Sequence, residues 1–140
     1  MFKQILVAID GSEGSKKALT AAVGIAAKFG AGLLSISVKE RPTHFVATPG
    51  EFIEEREELD KYFADVTAEA KTYARGHGVE LTTEVRSGHE VESIVRFARE
   101  IHADLLVIGF MGHSRVFGNI WGGTSQNLTK TAPCSVLVVK

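Results

Sequence analysis

The residues whose types and spacing are best suited to chemistry in this chain are glycines. Half of the 14 glycines fall in or beside two short stretches, one after residue 9 and the other after residue 108. These seven are Gly11, Gly14, Gly109, Gly112, Gly118, Gly122 and Gly123. Glycine lets a backbone approach a ligand closely, and free N–H groups at the start of a helix attract anions. The stretch from Gly109 to Thr124 is therefore interpreted as a loop around phosphate groups, to which Thr124 and Ser125 can add hydroxyl donors.

An alternative interpretation is that these glycines serve only turns and helix caps. Their spacing alone favours neither interpretation. His113, the histidine inside the glycine-rich stretch, is equally open, because it can contact phosphates or lie in solvent. Trp121 can stack on a base, although a core or interface position is favoured.

Asp10 follows the first predicted strand and also has two interpretations. As a neighbour of the N-cap of the next helix, it would be structural. As a carboxylate at the functional edge of a sheet, it can accept a hydrogen bond from a sugar hydroxyl or a base. The position of Asp10 at the end of the strand favours the second role.

Motifs of familiar catalytic sites are missing from the sequence. The segment from Gly11 to Lys16 lacks the spacing of a Walker A loop, and no Gly-x-Gly-x-x-Gly follows the first strand. There is no Gly-x-Ser-x-Gly elbow, and the five histidines have no metal-ligand spacing. The glycine-rich stretch contains no lysine, and no pair of carboxylates is positioned for metal ions. The sequence therefore favours a binding protein over an enzyme.

The elements that would position these residues follow from short apolar runs that alternate with longer amphipathic stretches. Strands are predicted over 3–9, 32–38, 79–86, 104–108 and 135–139. A helix is predicted after each of the first four strands: the first is closed by Gly30, the second covers 51–77, the third opens at Glu90 and the last covers roughly 123–131.

Strands that are apolar on both faces and alternate with helices indicate a particular fold. It is an α/β fold with a single doubly wound, five-stranded parallel sheet and helices on both faces, of the Rossmann-like type. In such sheets a ligand lies at the carboxyl ends of the strands, where the strand order reverses. The loops after the first, second and fourth strands are therefore the expected site.

Composition narrows the class of protein further. With 140 residues, 44% of them hydrophobic, the chain is expected to form one domain over 1–140 with its own core. The only cysteine, Cys134, suits a reducing compartment, and no signal peptide is evident, so a cytoplasmic location is expected. A formal net charge of −1 argues against nucleic-acid binding, and no apolar run approaches the roughly 20 residues of a membrane span.

Three segments of the chain resemble the universal stress protein family. The run from Ile5 to Ser12 is similar to the family's opening, an apolar strand into Asp-Gly-Ser, and the run from Ala132 to Val139 is similar to its closing segment. Between them, the family's ATP-binding branch carries the motif Gly-x2-Gly-x9-Gly-Ser/Thr, which is matched here by three glycines: Gly109, Gly112 and Gly122. The resemblance covers nearly the whole chain.

The resemblance implies an adenine-nucleotide alpha-hydrolase-like fold and a set of binding residues. Ala8 and Asp10 would lie beside the adenine and ribose, and Val38 would line the adenine slot. The ribose and first phosphate would lie near Ile108 and Gly109, and the phosphate chain near Gly112, Gly122, Gly123 and Thr124, with His113 as a further candidate in the same loop. The implied ligand is ATP or another adenine nucleotide with Mg²⁺, and the implied partner is a second copy joined through the C-terminal strand.

One position departs from the family motif, because Gly123 stands where the motif has serine or threonine. The lost hydroxyl would remove one hydrogen bond, worth about 0.5–1.5 kcal/mol, and would weaken binding up to about tenfold without abolishing it. Three functions stay open: a nucleotide-sensing signalling module, an enzyme with weak ATP hydrolysis or nucleotidyl transfer, and a dimeric interaction protein that binds no nucleotide. The first is favoured.

Overall fold

The computed structural model describes residues 1–40, 48–110 and 123–140. Strands and helices alternate along this part of the chain in the predicted order. They are β1 (Gln4–Ala8), α1 (Glu13–Phe29), β2 (Gly32–Lys39), α2 (Pro49–Gly76), β3 (Leu81–Ser87), α3 (Glu90–Glu100), β4 (Leu105–Gly109), α4 (Gly123–Thr131) and β5 (Ser135–Val139). β3 begins two residues later than predicted, because Gly78 has a positive φ of 74° and the Val79 N–H still donates to the Ala74 carbonyl at the end of α2.

The five strands form one parallel sheet in the order β3-β2-β1-β4-β5. The chain winds outward from β1 to β3 and then returns to place β4 on the other side of β1. The predicted α/β fold with a five-stranded parallel sheet is thus confirmed. The reversal of strand order falls between β1 and β4, so the switch point of the fold lies where these two strands end.

Each face of the sheet is covered by two helices. Ile5 and Val7 of β1 pack towards α1 and α2, whereas Leu6 packs towards α3 and α4. All three side chains are fully buried, as expected for a central strand of a doubly wound sheet. We call the two sides the α1–α2 face and the α3–α4 face.

Helix ends follow the local rules for caps. Ser12 is the N-cap of α1 and accepts a hydrogen bond from the Ser15 N–H, and Gly30 ends the helix in the left-handed conformation with φ 62°. Thr48 and Glu51 form a capping box at the start of α2. These caps fix the residues at which the two helices begin.

α2 is the longest helix that the structure describes, with 28 residues, and only its C-terminal half enters the core. An apolar stripe runs along it at steps of three or four residues, in which Phe63 and Ala70 are buried, and Leu59, Val66 and Tyr73 are half-buried. The acidic run over 54–58 is exposed, as expected for a solvated helix face. Within the three ranges that the structure describes, no helix is both long and apolar enough to span a bilayer.

Candidate functional site

The floor of the candidate site is a row of apolar side chains at the carboxyl edge of the sheet. Val7 pairs with Val107, so Ala8 and Ile108 follow side by side on β1 and β4. On the other flank Ala8 pairs with Ile36, and Val38 lies two residues further along β2. Ile108 is buried, and the half-buried Ala8 and Val38 pack against the same core under the α3–α4 face. The tertiary structure thus brings three of the sequence-predicted site residues onto one surface beside the switch point.

The loop after β1 forms one wall of this edge and is organised by Asp10. Its Oδ1 accepts hydrogen bonds from the Ser12 N–H at 2.9 Å and from the Ser12 hydroxyl. Its own N–H donates to the Ser15 hydroxyl oxygen at 3.2 Å. The structural role of Asp10 at the start of α1 is therefore present in the structure. A carboxylate has two oxygens and several acceptor positions, so a structural role and a role toward a ligand are chemically compatible.

Tyr62 of α2 also contacts this loop, although no motif in the sequence points to it. Its hydroxyl donates a hydrogen bond to the Asp10 carbonyl at 2.6 Å. A Cβ on Gly11 would overlap the Tyr62 oxygen, and Gly11 has φ 82°, so this position requires glycine. Burial and the nearby Asp10 charge raise the pKa of Tyr62 above its ordinary value of 10.0, so the hydroxyl, protonated at neutral pH in any case, stays a donor in mildly alkaline solution. The one signal in the sequence is that Tyr62 lies one helical turn before Val66 of the apolar stripe.

Gly109 ends β4 at the point where that strand meets the first turn of α1. A Cβ on Gly109 would lie 2.6 Å from the carbonyl carbon and oxygen of Gly14. Close backbone packing therefore explains glycine at residue 109, in line with the alternative that some of these glycines are structural. Gly109 nevertheless follows Ile108 directly at the switch point, so its backbone stays beside the candidate site.

Ser125 ties α4 to this edge of the sheet. The buried Ser125 hydroxyl donates to the Gly109 carbonyl at 3.0 Å. Its proton is used within the protein here, so a donor role of Ser125 toward a phosphate stays a prediction and would require this bond to be exchanged. The first turn of α4 packs directly on the end of β4, a contact that residue spacing does not reveal.

The start of α4 is the other wall of the site. Gly123 is exposed, where an added Cβ would enter open space, and Thr124 is half-buried. The first N–H groups of a helix lack intrahelical partners and carry a partial positive charge. The bond from Ser125 holds this helix start beside β4. Three predicted site residues, Gly112, His113 and Gly122, lie outside the described residues, as does Trp121.

Metal ligation has no support in the part of the chain that the structure describes. In residues 1–40, 48–110 and 123–140, no group of three or more histidine, cysteine, aspartate or glutamate side chains could hold a metal ion. The chemistry available at the edge is instead an apolar floor, one carboxylate, backbone donors at a helix start and the Thr124 hydroxyl. Such a set can bind an apolar ring and an attached anion.

The fold and the placement of this edge define a doubly wound α/β protein whose expected ligand site is the switch point between β1 and β4. The model of the universal stress protein family matches residues 1–140. The chain belongs to this family, which confirms the resemblance found in its sequence.

Individual family members are similar to the chain over its whole length. Universal stress protein YxiE of Bacillus subtilis is 34% identical over 148 residues, covering 100% of both sequences. The structure of universal stress protein UspA from Lactobacillus plantarum matches with a TM-score of 0.84 and 27% identity, covering 99% of this chain and 97% of that one. A universal stress protein crystallised in complex with cAMP matches with a TM-score of 0.77 and 26% identity, with the same coverage of 99% and 97%.

Proposed function

We propose that this chain binds an adenine nucleotide at the switch point and acts as a stress or energy-state signalling module. The observation that carries the proposal is the apolar row formed by Ala8, Val38 and Ile108 beside Asp10. A purine is flat and apolar on its faces, so it fits a floor of small and branched side chains. The adjacent carboxylate can accept a hydrogen bond from the ribose or the base.

The phosphates would extend from this floor toward Gly109 and the start of α4. Backbone N–H groups at Gly123 and Thr124 lie at a helix N-terminus, where the helix dipole favours an anion. The family motif adds three residues to the proposed phosphate loop: Gly112, His113 and Gly122. Glycine at position 123 lacks the motif's hydroxyl, so we expect weaker retention of the phosphate chain than the motif would provide.

The choice of ligand class is supported by the relative that was crystallised with cAMP, an adenine nucleotide. ATP with Mg²⁺ is the finer proposal, and it comes from the glycine motif alone. Binding would shift the population of conformers or of assembled copies, which is how a small binding protein signals without catalysis. The half-buried Cys134, which forms no disulfide, suits a reducing compartment, so we propose a cytoplasmic place of action.

The direct test is to denature the freshly purified protein and to search the released small molecules for nucleotides by mass spectrometry. The nucleotide-free protein is then titrated calorimetrically with ATP, ADP, AMP and cAMP, with and without Mg²⁺. We expect saturable binding of at least one adenine nucleotide, and a raised melting temperature in its presence. Unchanged melting and no heat of binding with all four nucleotides would overturn the proposal. Phosphate release measured in the ATP samples would separate a binding protein from a weak hydrolase.

We also propose that two copies associate through β5. β5 lies at one edge of the sheet and pairs with β4 on its inner side. The Phe110 N–H donates to the Val139 carbonyl. Because backbone groups alternate sides along a strand, the N–H and C=O of Val138 point toward the open edge. An open edge strand rich in valine can pair with the same strand of a second copy.

A further inference from the structure

A cavity lies between α1 and α2, on the face of the sheet opposite the apolar row of the proposed nucleotide site. The cavity has a volume of about 420 Å³, which is within the range of small-molecule sites. Ile9, Leu19 and Ala70 line it and belong to the core under the α1–α2 face. Ala8, Val38 and Ile108 pack under the α3–α4 face, so the sheet separates the cavity from the apolar row. The loop after β1 borders the cavity through Gly11.

The walls of the cavity combine aromatic rings with carboxylates. Tyr62 and Tyr73 line it from α2, and between them the same helix contributes Asp65 and Glu69. The Tyr62 hydroxyl donates to the Asp10 carbonyl, which fixes the tyrosine at the cavity wall. Both carboxylates lie on exposed residues at the rim, while the floor is apolar.

The charge of the rim favours one kind of ligand. Among the described residues that line the cavity, Lys16 is the only cationic one, and its ammonium lies 3.6 Å from the Glu13 carboxylate. The positive charge of Lys16 is thus partly balanced, whereas Asp65 and Glu69 together carry two negative charges. Anions such as nucleotide phosphates are repelled at this rim, and cations are attracted. Tyr62 and Tyr73 line the same cavity, and aromatic rings attract organic cations.

We propose that the cavity between α1 and α2 is a binding site for a small organic cation with an aromatic or aliphatic body. The body lies on the apolar floor, and the cationic group lies at the rim beside Asp65 and Glu69. Charge complementarity and the presence of two tyrosines distinguish this ligand from a neutral apolar molecule of the same size. No residue of the apolar row on the opposite face lines this cavity, which shares Tyr62 with the contact that holds the loop after β1.

The test uses the full chain labelled with ¹⁵N and three probes that share one aromatic ring: benzyltrimethylammonium, benzyl alcohol and phenylacetate. Each is titrated while amide chemical shifts are recorded. We expect benzyltrimethylammonium to produce saturable shifts around Thr20, Val66 and Ala70. The neutral alcohol should bind more weakly, and the anion should not bind. No saturable shift with the cation, or equal binding of cation and alcohol, would overturn the proposal.

Variants of the rim locate the charge that recognises the cation. Asp65→Asn and Glu69→Gln change exposed side chains and should fold normally, and each should weaken benzyltrimethylammonium binding about two- to fivefold. Glu58→Gln, on the same helix outside the cavity, is the matched control and should leave affinity unchanged. Equal effects of Glu69→Gln and Glu58→Gln would contradict the proposed site. Titrating the same variants with nucleotide shows whether the proposed nucleotide function fails independently of the proposed cation site.

Discussion

Asp10 shows how one side chain can serve both the fold and the proposed ligand. Its Oδ1 holds the turn through the Ser12 N–H, a bond that needs an acceptor but no charge. Asparagine retains an acceptor oxygen and loses the carboxylate. The two roles can therefore be separated by a single substitution that alters the charge and keeps the turn.

We expect Asp10→Asn to keep the melting temperature of the wild type and to weaken adenine-nucleotide binding about ten- to a hundredfold, because a hydrogen bond from the ligand to a charged acceptor is lost. Differential scanning calorimetry and isothermal titration measure the two quantities. Glu57→Gln, an exposed acid of α2, serves as the control for lost charge. Wild-type affinity in Asp10→Asn would leave Asp10 with its structural role in the turn alone.

At the level of elements, α2 contacts the loop after β1 at this site. Tyr62 and Asp10 are 52 residues apart in sequence, and their hydrogen bond is a direct link between the helix and the loop. The Asp10 N–H donates to the Ser15 hydroxyl of α1, and the Asp10 carbonyl accepts from the Tyr62 hydroxyl of α2. The loop is therefore held by both helices. We infer that the position of the loop, and hence of Asp10, depends on this tyrosine.

Tyr62→Phe should lower the free energy of unfolding by about 0.5–1.5 kcal/mol, since one hydrogen bond is lost while the ring is retained. Nucleotide affinity should fall severalfold because the loop is held less firmly. The raised pKa of Tyr62 means that its contribution to stability is fully present below its ordinary value of 10.0 and is lost as the pH rises further. Urea unfolding at neutral pH measures the lost stability, and the same measurement above pH 10 tests its pH dependence. Isothermal titration measures the nucleotide affinity.

The control for this prediction is Tyr73→Phe, which removes a hydroxyl from the same helix about three turns further on. It should leave nucleotide affinity unchanged. Equal losses of nucleotide affinity in the two variants would show that Tyr62 does not position the loop.

The whole molecule presents two edges of its sheet, and they differ in character. β3 carries charged side chains at its edge, among them Arg86, which pairs with Glu100 of α3. β5 has no charged residue between Ser135 and Val139, and Leu137 is partly exposed. Charges protect an edge strand from pairing with another chain, so the difference favours β5 as the assembly edge.

Val138→Pro should convert the proposed dimer into a monomer, because proline removes the N–H that points toward the open edge. The monomer should stay folded, since proline is tolerated at edge strands where the missing N–H faces outward. Analytical ultracentrifugation and circular dichroism measure assembly and folding. Val138→Thr keeps the N–H and a similar shape and should remain dimeric. A dimer that survives Val138→Pro would place the interface elsewhere.

The sequence by itself determined the elements, the fold class and the family. Apolar periodicity, helix caps and turn glycines are local signals, and they predicted each strand and helix to within a few residues. The end of α2 at Gly76 and the delayed start of β3 differ from the prediction because the left-handed Gly78 lets the helix end form an extra backbone bond. Such a bond depends on conformation and is not visible in residue type.

The tertiary structure alone decided how the candidate site is assembled. Strand order places Ala8, Val38 and Ile108 on one surface, although about 100 residues separate the first from the last. The packing of α1 on β4 explains why residue 109 is glycine. The packing of α4 on β4 lets the Ser125 hydroxyl donate to the Gly109 carbonyl. The packing of α2 brings Tyr62 to Asp10. All of these contacts join residues far apart in sequence, so they follow from the path of the chain between strands, which local spacing does not encode.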